Sequence, residues 1–81
     1  MGERFPVATY RDLVRVAKKL GFFFYRSAKG DHEIWRRASG GQYTTIPNWG
    51  SRILKRKTLK AIIGDFGITP KEFLKLRKGK A

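Results

Sequence analysis

The stretch from Phe22 to Pro47 limits the fold more than any other feature of the chain. Three short runs rich in aromatic and β-branched residues, separated by glycine-bearing turns, read as an antiparallel meander. Phe22 to Ala28 forms the first predicted strand, His32 to Arg37 the second and Gln42 to Pro47 the third. Lys29-Gly30-Asp31 and Ala38-Ser39-Gly40-Gly41 supply the turns. Because side chains alternate along a strand, His32, Ile34 and Arg36 share one face of the second run, and Glu33, Trp35 and Arg37 the other. Alternation does not say which face meets the core. For most of Phe23, Tyr25, Trp35 and Tyr43, core packing or cross-strand pairing is expected ahead of base stacking.

Helical patterns flank the meander. Thr9 is placed as an N-cap, with Asp12 completing a shortened capping box. Leu13, Val14, Val16, Ala17 and Leu20 make an apolar stripe opposite Arg11, Arg15, Lys18 and Lys19, and Gly21 ends the helix. After a loop from Asn48 to Ile53, Leu59, Ile62, Ile63 and Phe66 recur at the spacing of a second helix, which Gly67 stops. Thr69-Pro70-Lys71-Glu72 opens a short last helix that buries Phe73 and Leu76. The predicted architecture is an α+β sandwich in the order α-β-β-β-α, with helices on one face of a three-stranded antiparallel sheet, plus the short C-terminal helix. Residues 1–81 are expected to form a single domain with a basic frayed tail from about residue 77.

Lys and Arg number 19 against 6 Asp and Glu, a net charge of +13 on a surface this small, which makes a polyanion the default partner. No long amphipathic helix of the membrane-surface kind can be drawn, and no apolar run is long enough for a signal peptide or a membrane span. A soluble, cytoplasmic protein is expected. With no cysteine and one histidine, the residues offer no convincing zinc or transition-metal site, so any chemistry is expected to be metal-independent and cofactor-free.

The single histidine, His32, sits where the Lys29-Gly30-Asp31 turn enters the second strand. Imidazole accepts and donates protons near neutral pH, which makes it a candidate catalyst; a structural or merely solvated role is the competing reading. Lys55, Arg56 and Lys57 cluster where the second helix begins, and free backbone N–H groups there add to their attraction for phosphate. The candidate RNA-binding set is Lys29, Gly30, Arg52, Lys55, Arg56, Lys57, Thr58 and Lys60.

The element order is that of the double-stranded RNA-binding domain. The residues also resemble the HicA mRNA interferase toxins of bacterial and archaeal toxin–antitoxin modules, from about Thr9 to Leu76. The resemblance rests on Leu20-Gly21-Phe22, on Lys29-Gly30-Asp31-His32, on Ile46-Pro47, and on Leu54-Lys55 with Thr58-Leu59 and Ile62 through Gly67-Ile68. Asp31 stands where serine is commoner, Lys57 where glycine is usual, and Asn48-Trp49-Gly50 fills a loop that often holds further histidine. The resemblance implies a small messenger-RNA endoribonuclease with His32 as catalytic residue, neutralised by a HicB antitoxin that covers the active site. Physically, His32 would take the proton of an RNA 2′-hydroxyl as that oxygen attacks the adjacent phosphate. The cations Lys29, Arg52 and Lys55 to Lys57 would stabilise the developing charge. Lys29, Tyr43 or a second proton on His32 are the alternatives for the general acid. Two other functions fit the residues: a non-catalytic RNA-binding module on the same fold, and a DNA-binding or interaction protein using its sheet aromatics. An apolar patch of Trp35, Trp49 and Tyr25, ringed by positive charge, is the expected seat for an acidic protein partner.

Overall fold

The computed structural model describes residues 5–78. Helix α1 (Tyr10–Lys19) leads into strands β1 (Phe22–Ser27), β2 (His32–Arg37) and β3 (Tyr43–Pro47), followed by α2 (Arg56–Phe66) and α3 (Pro70–Lys78). The strands form one antiparallel sheet in the order β1-β2-β3, so the α+β sandwich expected from the sequence is the fold. β1 and β3 are each one residue shorter than their sequence patterns.

Local chemistry accounts for the helix ends. The Thr9 hydroxyl accepts the Asp12 N–H at 3.4 Å while the Asp12 carboxylate accepts the Thr9 N–H at 3.1 Å. Thr69 and Glu72 repeat the arrangement at 3.1 and 2.9 Å for α3. Gly67 closes α2 in the left-handed conformation, φ 77°, where a side chain would be strained. Of the residues where a frayed tail is expected, Arg77 and Lys78 form the last turn of α3. The Arg77 guanidinium donates to the Val7 carbonyl, and Lys19 Nζ donates to the Leu76 carbonyl at 2.7 Å, tying α3 to α1 and to the segment before it. The rest of the predicted tail, residues 79–81, lies outside the described residues.

The helices cover the sheet face that carries Phe22, Trp35, Thr44 and Ile46, all buried. Leu13, Val16 and Ala17 of α1, Leu59, Ile62, Ile63 and Phe66 of α2 and Phe73 of α3 complete a single core. This settles the question that strand alternation leaves open: Trp35 faces the helices, and the face of His32, Ile34 and Arg36 is left open. The pairing slips between Phe24 and Arg26, where Tyr25 forms a bulge in β1.

Candidate active site

The turn from Ala28 to Asp31 joins β1 to β2 and presents His32 as the first residue of β2. Gly30 adopts φ 68° with no atom within 4 Å of where a Cβ would sit, so its glycine answers a need of the backbone in an open turn. Three backbone hydrogen bonds hold this corner. The His32 carbonyl accepts the Ala28 N–H at 2.8 Å, the His32 N–H donates to Lys29 at 3.4 Å, and the Asp31 carbonyl accepts the Asn48 N–H at 2.8 Å. On its other side His32 pairs with Pro47 of β3. The backbone is thus fixed while the ring, 48% exposed, stands free on the open face. Its Nδ1 lies 3.6 Å from Asp31 Oδ1, too long for a hydrogen bond and within ion-pair reach of a protonated ring. Such a group is placed to exchange a proton with a solvent-borne substrate.

Behind His32, on the helix side, sits a residue whose role the sequence did not reveal. Glu33 accepts the Tyr10 hydroxyl at 2.7 Å and the Trp35 indole N–H at 3.0 Å on one oxygen, and the Asn48 amide at 3.4 Å on the other. One carboxylate therefore links α1, the middle strand and the loop after β3, immediately beside the catalytic candidate. The one local signal was that Glu33 and Trp35 share a strand face, and a buried indole requires an acceptor. Burial, then the hydrogen bond to Glu33 and its charge, push the Tyr10 hydroxyl up to about 12. A folded-state value raised above the ordinary 10 makes Tyr10 stabilising below pH about 10, a contribution lost as pH climbs toward about 12. Tyrosinate absorbance of the wild type minus that of Tyr10→Phe should accordingly show a phenol titrating near pH 12, with the stability difference between the two proteins shrinking over the same interval.

The sequence-predicted site residues fall into separate groups. Lys29, Gly30 and His32 occupy one turn. Arg52 lies on the loop after β3, its guanidinium over the Trp49 ring at 5.3 Å. Lys55 precedes α2 as its N-cap without a side-chain capping bond; Arg56, Lys57 and Lys60 are exposed on α2, and Thr58 is half-buried. The C-terminal part of α2 meets the far end of the sheet, where Phe66 packs edge-on against Phe22 and Thr44 donates to Asp65. Its N-terminus consequently points toward the end where β3 finishes and β2 begins. The α2 cations and His32 share one end of the sheet but belong to opposite layers.

Two expectations change here. Tyr43 pairs with Arg36, four residues along β3 from Pro47, which places it about 13 Å from His32 at roughly 3.3 Å per residue. It is too far to serve as the general acid, leaving Lys29 or the imidazole itself. The apolar patch of Trp35, Trp49 and Tyr25 does not form either. Trp35 is 4% exposed among the core residues, while Tyr25 is on the opposite face.

Among the described residues no three His, Cys, Asp or Glu side chains gather into a group able to hold a metal ion, and no helix is long and apolar enough to cross a membrane. No curated protein and no solved structure matches the chain. The sequence model described as HicA toxin of bacterial toxin-antitoxin matches residues 10–68, a span that takes in α1, the whole sheet with the His32 turn, and α2. The chain belongs to the HicA toxin family.

Proposed function

We propose that this toxin-family protein is a messenger-RNA endoribonuclease in which His32 acts as general base on the substrate's own 2′-hydroxyl. The observation that carries the reading is the imidazole on the open sheet face, half-exposed, with its backbone pinned by the turn and by β3. His32 removes the 2′-hydroxyl proton, the oxygen attacks the neighbouring phosphorus, and the 5′-oxygen leaves with a proton from Lys29 or from the imidazolium just formed. The products are a 2′,3′-cyclic phosphate and a 5′-hydroxyl. The Lys29 ammonium stabilises charge building on the phosphate, and Arg52, Lys55, Arg56, Lys57, Thr58 and Lys60 bind the strand as it turns around the end of the sheet. The reaction draws on no cofactor. Its setting is the cytoplasm, where messenger RNA is found.

Membership of a toxin–antitoxin family implies an antitoxin partner. We assign that role to a HicB-like protein whose acidic residues meet the cations around His32. The competing reading, a non-catalytic RNA-binding module, draws support from exposed aromatic and arginine side chains on the same sheet face. The two separate in one assay. The pure chain, in excess chelator, should cut a labelled single-stranded RNA to cyclic-phosphate ends and leave the same sequence intact when every 2′-hydroxyl is methylated. Binding without cleavage would leave only the RNA-binding module.

A further inference from the structure

The open sheet face beyond His32 carries features that proton transfer does not use. Large aromatic side chains are normally withdrawn from water. Here Tyr25 is 49% and Tyr43 66% exposed, on either side of the middle strand. Between them a groove of about 410 Å³ is lined by Tyr25, Arg26, Ile34, Arg36, Gly41 and Tyr43. Arg36 pairs with Tyr43 across the ladder and sets its guanidinium 5.3 Å from the Tyr25 ring centre, so cation and rings form one continuous surface. The β1 bulge at Tyr25 interrupts the alternation, and both Tyr25 and Arg26 line the groove. Among the described residues no acidic side chain lines it. The floor is continuous with the candidate active site, because His32, Ile34 and Arg36 are alternate residues of one strand, spanning about 13 Å at roughly 3.3 Å per residue.

Flat rings interleaved with arginines require a partner with exposed π faces and a regularly spaced negative charge. A single-stranded nucleic acid has both. A duplex hides its base faces in the stack, and an acidic protein leaves the rings without flat counterparts. We infer that this face is a platform for single-stranded RNA, on which Tyr25 and Tyr43 stack bases of the strand leading to the scissile bond while Arg26 and Arg36 neutralise backbone phosphates. The inference rests on the reading of RNA as substrate. It names the substrate's form: unpaired nucleotides laid along β2 toward His32.

The test measures binding by the 81-residue chain in a His32→Ala background, which keeps the RNA intact, with a short fluorescent single-stranded RNA and a blunt duplex of matching length as probes. Tyr25→Ala and Tyr43→Ala should each weaken single-strand binding about 5- to 100-fold, with the salt dependence of binding unchanged. Arg36→Gln should lower the slope of log K against log salt by about 0.7. Duplex binding should be the same in all of them, and circular dichroism should show the parental fold, since the altered side chains are exposed. Single-strand affinities within twofold of the parent in all three variants would overturn the platform. So would unchanged RNA binding combined with weakened binding of poly-glutamate, which would give the face to an acidic protein. Failure here is distinguishable from failure of the catalytic reading. A wild type that binds through Tyr43 but does not cut RNA keeps the platform and loses the nuclease, and one that cuts RNA with Tyr43-independent binding does the reverse.

Discussion

His32→Ala should slow RNA cleavage by about 10²- to 10⁴-fold, the contribution typical of a positioned general base, while RNA affinity stays within about twofold of wild type. The geometry accounts for both halves of this result. Among the described residues the ring makes no hydrogen bond, its nearest polar contact being Asp31 at 3.6 Å, so its removal leaves the turn, the sheet register and the surrounding cations in place. The backbone bonds through Ala28, Lys29, Asp31 and Asn48 do not depend on which side chain residue 32 carries. A stability loss is not expected either, because a half-exposed side chain contributes little burial. Loss of rate with retained fold and retained binding is the signature of a group that handles a proton.

Phe66→Ala should act in the opposite way, through the fold. Phe66 is 1% exposed and meets Phe22 edge-on at a centroid distance of 5.2 Å, fastening the end of α2 to β1. Truncating a buried phenylalanine costs about 3–5 kcal/mol from lost burial and the cavity left behind. A chain of 81 residues commands a total of roughly 4–12 kcal/mol. There is no disulfide to offset the loss. Denaturant titration should therefore show an unfolding free energy lower by about 3–5 kcal/mol, which at the low end of the total leaves the variant partly unfolded in dilute buffer, with cleavage falling in proportion to the unfolded fraction. An unchanged midpoint would mean that α2 is held to the sheet by contacts other than this ring pair.

The contrast between these two residues parallels what was legible in the sequence. Where the determining chemistry is local, the residues were sufficient: Thr9 with Asp12 and Thr69 with Glu72 cap their helices as their spacing requires, and the glycine-marked turns set the meander. The choice of buried face was not legible. Ile34 and Trp35 put an apolar residue on each side of β2, and the decision falls to long-range packing of Phe22, Trp35, Thr44 and Ile46 under α1 and α2. Glu33 escaped notice for the same reason, as its partners Tyr10 and Asn48 are 23 and 15 residues away. The basic cluster from Lys55 to Lys57 could be read as a helix start, but not as a start in the opposite layer from His32. The contacts of Arg77 with Val7 and Arg15 were not legible either, because both are remote in sequence. The histidine stood out because it is the only one, yet its accessibility follows from the open face of the sheet.

Chemical replacement of the His32 ring tests most directly whether its imidazole moves the proton in RNA cleavage. Single-turnover cleavage of one labelled RNA should be followed with wild type and with His32→Ala, the latter with and without free imidazole, at protein concentrations that bind all of the RNA. The expected result is rapid formation of cyclic-phosphate ends by wild type, almost none by His32→Ala, and partial recovery with the same ends when imidazole is supplied. Cleavage by His32→Ala at the wild-type rate without imidazole would contradict the assignment.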